Sequence, residues 1–249
     1  MNHPRIHYQD ISHEQYWALA DKTGAYCIRS SESLSYRVND QLHRTDGPAY
    51  IQANGQQQWY LHGKKHREDG PAYVEASPSG IRKWYVHGQL HRLDGPAIEC
   101  KNGDQDWLQN GVHHRTDGPA IVRTDGTQEW YLNGKRHRLA GPAAIYAHTA
   151  PHGDWYLHGQ LHRDGAPAIT FAHGGEAWYR HGKLHREDGP AYIHADGQCE
   201  YHLHGVRVPK KQMPFYQAQL ERTQLEAQTP KPACERPAKP KKPAMGMAL

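Results

Sequence analysis

Seven versions of one heptad recur along the chain: HRTDGPA at 43–49, HREDGPA at 66–72, HRLDGPA at 91–97, HRTDGPA at 114–120, HRLAGPA at 137–143, HRDGAPA at 162–168 and HREDGPA at 185–191. Their leading histidines lie 23, 25, 23, 23, 25 and 23 residues apart. At a fixed period of this size each unit is one supersecondary element, which cannot bury its apolar face alone and gains stability by stacking on its neighbours. The question of function therefore becomes what a long stack of similar units can hold.

The residues around the heptad identify the unit. An aromatic residue recurs at Tyr36, Trp59, Trp84, Trp107, Trp130, Trp155, Trp178 and Tyr201. Three residues later stands Asn39, His62, His87, Asn110, Asn133, His158, His181 or His204, followed by Gly in every unit except the first, which has Asp40. Asn-Gly is a strong hairpin signal because both central positions tolerate positive φ, and His tolerates that region better than most side chains. Each unit is therefore expected to be a β-hairpin followed by a second tight turn at Asp-Gly-Pro, where Gly relieves steric restriction and Pro fixes φ. The small alanine that closes the heptad, such as Ala72 or Ala97, would let neighbouring hairpins approach. The aliphatic residues that follow, Ile51, Val74, Ile98 and Ile121, are expected to form one row covering the aromatic row. With only two Phe against seven Trp and 15 Tyr, and with 24 Gly and 17 Pro, the composition suits a thin repeated core.

These features predict an all-β fold: an elongated repeat stack of short antiparallel β-hairpins with a 23–25 residue period and a short C-terminal helix. Residues 1–23 would form an N-terminal cap, in which His13–Lys22 is a candidate helix with Tyr16, Trp17 and Leu19 toward its buried side. Residues 24–208 would be the repeat domain, beginning with GAYCI at 24–28 as half of a decayed first unit. Residues 209–228 would hold the C-terminal helix, rich in helix formers, and residues 229–249 a disordered Lys/Pro-rich tail. The two 25-residue intervals place insertions in the turn-rich stretches 74–83 and 144–154, which are candidates for selective contact.

The repeated side chains suggest a scaffold chemistry. His43, His66, His91, His114, His137, His162 and His185 would form a hydrogen-bonding ladder; a zinc site instead gathers three or four ligands around one ion, so no metal is expected. Asp46, Asp69, Asp94, Asp117 and Asp188 would cap their own Gly-Pro turns, while the arginines reach a carboxylate or carbonyl in a neighbouring unit. Two heptads break the rule: Ala140 replaces Asp in the fifth, and Asp164 moves one place closer to Arg163 in the sixth. Residues 137–168 are therefore the candidate altered surface, and Trp107, Arg115, Trp130, Arg138, Trp155 and Arg163 are the binding candidates.

Charge and motifs narrow the function classes. The formal charge is +4, and residues 229–249 carry five basic residues and one acidic, 5 − 1 = +4, so residues 1–228 are neutral. A neutral body weakens the case for nucleic acid, although a row of arginines interleaved with aromatics remains the alternative reading as a nucleotide or nucleic-acid surface. Neither a G-x-S-x-G elbow, an HExxH pair, a Walker loop nor a dinucleotide glycine fingerprint is present, so the protein is expected not to be an enzyme and to need no cofactor. Cys27, Cys100, Cys199 and Cys234 are widely spaced and fit reduced thiols. The opening MNHPRIHYQD has no apolar signal core, and a cytoplasmic protein is expected.

The pattern W-x-x-[NH]-G-x-x-H-R-x-D-G-P-A resembles the MORN-repeat-variant proteins, which include antitoxin-like repeat proteins of bacteria, phages and large viruses. Gly63, Lys64 and His66 match the Gly-Lys-x-His part of that repeat, whereas Arg67 stands where the usual repeat carries another glycine, and membrane binding is not expected. The resemblance implies a stack of β-hairpins used as a binding surface, with a protein partner that it inhibits. Homodimerisation and self-assembly as a structural protein are the other expectations for such a stack.

Overall fold

Each repeat turns where its sequence allows two consecutive left-handed residues. The first turn residue, from Asn39 to His204, has φ between 48° and 52°; the glycine after it lies between 71° and 87°, and Asp40 at 61°. This is type I′ geometry, whose twist matches that of the flanking strands. Tyr60–Leu61 and Lys64–Lys65 form one such hairpin, with Tyr60 opposite Lys65. The same two-residue strands recur as far as His202–Leu203 and Val206–Arg207.

The computed structural model describes residues 6–147, 153–214 and 217–218. Besides its hairpin, each repeat gives two further short strands to a continuous sheet. Across repeats Gln58 faces Tyr73, Tyr73 faces Lys83 and Lys83 faces Ile98, all antiparallel. A 14-stranded sheet built this way extends to Gly153–Asp154, and Ile169–Thr170, Glu176–Ala177, Tyr192–Ile193 and Cys199–Glu200 form a further sheet of four. The fold is thus all-β, a stack of short antiparallel hairpins.

Packing between units depends on alanine. Ala49, Ala72, Ala97, Ala120, Ala143, Ala168 and Ala191 are fully buried, and the carbonyl of each accepts the backbone N–H of the aromatic residue in its own unit at 2.7–2.9 Å. Tyr16 is the one large side chain that is fully buried among the described residues, so the core is thin. The aliphatic row is not a single row. Ile51 and Val74 both flank Gln57, whereas Ile98 and Ile121 flank Asp106, in register with Tyr73 rather than Val74. Because side chains alternate across a strand, that one-residue offset puts the two pairs on opposite faces.

The N-terminal segment closes the sheet. Strand β1 (Gln9–Ser12) pairs in parallel with β2 (Ala25–Arg29), which pairs antiparallel with β3 (Ser33–Val38). Between β1 and β2 lies α1 (His13–Trp17), opened by a reciprocal capping box of Ser12 and Gln15. Five residues make barely more than one turn, so only Tyr16 faces inward, with its hydroxyl on Asp40 at 2.6 Å. Trp17, expected toward the buried side, is 52% exposed. At the other end Lys210–Gln212 form a 3₁₀ turn. Most of the expected helix at 209–228, the whole tail at 229–249 and Cys234 lie outside the described residues, as does the middle of the second insertion.

The heptad histidines join one repeat to the next. In a two-residue turn the N–H groups of both central residues point away from the turn's own hydrogen bond. The glycine N–H reaches the previous repeat's backbone, as in Gly63 to Leu42 O at 2.9 Å. The other N–H is accepted by the previous repeat's heptad histidine: His62, His87, Asn110, Asn133, His158, His181 and His204 donate to Nδ1 of His43, His66, His91, His114, His137, His162 and His185 at 3.1–3.2 Å. Where the turn residue is itself a histidine, the two rings lie 4.4–4.7 Å apart.

An accepting Nδ1 must be unprotonated; at His91 and His114 the same atom also meets Asn110 and Asn133 Oδ1 at 3.0 and 2.8 Å, where donor and acceptor depend on the tautomer. Burial holds His66, His137 and His185 below the usual histidine range. A group whose pKa is lowered by folding binds its proton more readily in the unfolded chain, so stability rises with pH between the folded and unfolded values. Stability should therefore be full above the unfolded histidine value of about 6.5 and decline as pH falls below it. The urea midpoint is expected to be level from pH 8 to 7 and to drop toward pH 5; a midpoint unchanged to pH 5 would show that the ladder bears no load.

Candidate functional site

Along one side of the stack each heptad arginine lies over the aromatic residue eight positions before it. The guanidinium carbon is 3.9 Å from the Tyr36 ring centre for Arg44, and 4.2, 4.1, 4.0, 3.7, 4.0 and 4.1 Å from Trp59, Trp84, Trp107, Trp130, Trp155 and Trp178 for Arg67, Arg92, Arg115, Arg138, Arg163 and Arg186. Such contacts stabilise by about 0.5–1 kcal/mol at exposed sites. Each arginine also directs one Nη1 donor to the proline carbonyl of its own heptad at 3.1–3.4 Å.

This arrangement explains the heptad glycine. Gly47, Gly70, Gly95, Gly118 and Gly189 are not at positive φ. A Cβ at these positions would instead stand 2.8–3.0 Å from the guanidinium carbon, so on this backbone an alanine would crowd the stacked arginine. The sixth heptad differs, with Gly165 one place earlier at φ 72° and Ala166 where the others have glycine.

The heptad aspartates pair with the arginine of their own heptad rather than with one in a neighbouring unit, and Arg92 also meets Glu99 Oε1 at 2.7 Å through Nη1. Arg44, Arg67, Arg92, Arg115 and Arg186 each donate Nε to Asp46, Asp69, Asp94, Asp117 and Asp188 at 2.7–3.1 Å. This hydrogen bond holds Asp69, Asp94, Asp117 and Asp188 below the usual carboxylate range. Across repeats the arginine contributes its backbone instead: Arg67 N–H bonds Tyr85 O at 3.1 Å, a contact repeated in all seven heptads. The inter-repeat pairing expected of the arginine side chains is therefore corrected: arginine, its aromatic platform and the aspartate of the same heptad form one compact unit. The tryptophans, three of them binding candidates, are half-buried under their arginines.

Two consecutive units lack the carboxylate. Arg138 keeps Trp130 and the Pro142 carbonyl, but Ala140 offers no acceptor. Arg163 keeps Trp155 and the Pro167 carbonyl, while Asp164 turns away, with one oxygen 3.6 Å from His162 Nε2 and the other 3.8 Å from Arg180 Nε. Among the described residues no carboxylate bonds either Nε. Both arginines line one cavity of about 450 Å³ with Leu139, Trp155, Leu157, His162 and Asp164. Leu139 is 79% exposed at its edge.

Of the six binding candidates, Arg138, Trp155 and Arg163 thus converge on the cavity. Trp130 is the platform beneath Arg138, and Trp107 with Arg115 belongs to an ordinary, fully paired unit. Leu139 and Leu157 were not anticipated. A signal for Leu139 existed: the third heptad position reads Thr, Glu, Leu, Thr, Leu, Asp, Glu while its neighbours scarcely vary, as a solvent-facing position would. A second feature outside the sequence reading is a line of charges between sheet and hairpins: Asp106 with Arg123 at 2.8 Å, Glu129 with Arg136 at 2.7 Å, and Glu200 with His194 and His202 at 3.1 and 3.0 Å. At the register of Asp106 and Glu129 the third repeat carries Lys83, which with Lys65 lies over Tyr73 at 5.4 and 5.1 Å. Burial, and then Lys83, lower the Lys65 pKa.

Among the described residues no three His, Cys, Asp or Glu side chains converge as a metal-ligand group, and no helix is long and apolar enough to cross a membrane. Cys27, Cys100 and Cys199 carry free thiols. The sequence matches no known protein family and no curated protein.

Gly118→Ala would displace Arg115 from Trp107. The expected result is a loss of about 1 kcal/mol, the upper end for an exposed cation–π contact, read as a lower urea midpoint with tryptophan emission shifted toward that of exposed indole. An unchanged midpoint and emission would show that the stacked arginine contributes nothing.

Proposed function

We propose that the protein is a non-enzymatic β-repeat scaffold that recognises another protein through the surface of its fifth and sixth heptads. The observation that carries this reading is the cavity beside Leu139, where two arginines keep their tryptophan platforms but have lost the carboxylate that closes the other five units. A rigid stack with one altered segment supplies what protein recognition needs: a preorganised aromatic and arginine cluster with an exposed apolar residue at its edge. Elsewhere the repeated His, Arg and Asp residues are engaged in the same internal bonds unit after unit, a structural use rather than a catalytic one. An inhibitory, antitoxin-like role is the form of protein recognition that the resemblance to MORN-repeat variants favours.

The test is capture from native-host lysate on the full chain, after nuclease treatment, with Leu139→Ser and Leu93→Ser as matched variants. Leu93 is 76% exposed at the same place in a heptad that retains its aspartate. Burying a leucine is worth about 1.5–3 kcal/mol, so Leu139→Ser should reduce recovery of the partner at least ten-fold while Leu93→Ser leaves it unchanged. Equal recovery by both variants, or recovery of nucleic acid instead of protein, would overturn the proposal.

A further inference from the structure

We infer that the fifth and sixth repeats form a receptor for a carboxylate side chain of the partner, an aspartate or glutamate presented beside an apolar residue. The inference rests on the protein-recognition reading above and supplies the chemistry of the partner.

The five ordinary units show what the site is built to hold. In each, the guanidinium lies over an aromatic ring, Nη1 is on the proline carbonyl, and Nε donates to one aspartate oxygen at 2.7–3.1 Å; Arg92 Nη1 also meets Glu99. Arg138 and Arg163 keep the first two restraints, with ring distances of 3.7 and 4.0 Å and carbonyl distances of 3.1 Å. Among the described residues, the Nε–H of each lacks the carboxylate to which it donates in the other five units. Because both guanidinium groups are already held in place, a ligand need not immobilise two long side chains, which removes much of the usual entropic cost of a charged contact.

The surroundings select among anions. Two arginines against the one carboxylate, Asp164, give the permanently charged groups of the cavity lining a balance of 2 − 1 = +1. That balance fits one carboxylate, whereas a polyphosphate or nucleic-acid strand would bring several negative charges against Asp164. Asp164 does not itself fill the vacant place, since its oxygens are directed toward His162 and Arg180. Leu139 and Leu157 add an apolar wall, which a peptide side chain next to the acid can cover.

The chain offers its own competitor. Ala140→Asp recreates the heptad of the first four units and supplies Arg138 with an internal carboxylate in a setting the fold already accommodates five times. The substitution should preserve or raise thermal stability while displacing the external acid.

The probe is the peptide acetyl-Leu-Glu-Leu-amide, with its Leu-Gln-Leu counterpart and inorganic phosphate as comparisons, titrated into the full-length protein and followed by NMR of the arginine Nε–H groups, assigned with Arg138→Lys and Arg163→Lys. The expected result is that the Glu peptide shifts the Arg138 and Arg163 signals and leaves those of Arg44, Arg67, Arg92, Arg115 and Arg186 in place, while the Gln peptide shifts none. Ala140→Asp should remove the Arg138 response and weaken binding at least ten-fold. Absent shifts, equal shifts at the aspartate-paired arginines, unchanged affinity in Ala140→Asp, or tighter binding of phosphate than of the Glu peptide would each overturn the inference. The scaffold reading is judged separately: if partner capture falls with Leu139→Ser but not with Ala140→Asp, recognition stands and the carboxylate receptor does not; if neither variant changes capture, both fall.

Discussion

The stack depends on two backbone N–H groups that a type I′ turn leaves unpaired. Left dry and unsatisfied, each would cost about 1–3 kcal/mol. Here both are accepted by the preceding repeat, one by a carbonyl and the other by a histidine Nδ1. That requirement fixes the distance and rotation between units, and so explains why histidine, and not merely a polar residue, begins every heptad. A ring nitrogen held at the end of a short strand reaches the next turn with few rotatable bonds. The same requirement explains buried alanine at the heptad's end, because a larger side chain would hold the units apart and break both bonds.

Much of this architecture was legible in sequence. The heptad interval gave the repeat, and Asn-Gly and His-Gly gave the turns, since few other dipeptides tolerate two positive φ values. The histidine ladder followed from the invariant position of one polar ring. The partner of arginine was not legible, because local spacing does not distinguish a carboxylate in its own heptad from one in the next unit; the side chain folds back over a tryptophan eight residues earlier. The aliphatic residues were misaligned for a related reason. In two-residue strands, a one-place offset between Val74 and Ile98 has no longer alternating pattern to expose it. The parallel strand Gln9–Ser12 lacked a repeat counterpart altogether.

The candidate site was legible as a departure from the motif, but its consequence was not. Loss of Asp at position 140 could have been sequence drift in a redundant array. It acquires chemical meaning because the sixth heptad diverts its acid as well, and because both arginines line one cavity beside an exposed leucine. A repeat protein is suited to this kind of specialisation. Stability is shared among nearest-neighbour contacts, so a unit can give up one side-chain bond while its tryptophan, proline and histidine contacts retain the fold.

Net charge was a poor guide to where such specialisation lies. A body that is formally neutral contains compact, nearly cancelling units, and each Arg-Asp pair on the heptad row is screened from the next by solvent beyond roughly 8–10 Å at physiological salt. The electrostatic character of the surface is therefore set locally by unmatched members rather than by the total. Two unmatched places stand out among the described residues: Arg138 and Arg163 on the heptad row, and Lys65 with Lys83 over Tyr73. Of these two places, the arginines combine that mismatch with a cavity and an exposed apolar edge. It is this conjunction, and not positive charge alone, that separates a recognition surface from a tolerated irregularity in the stack.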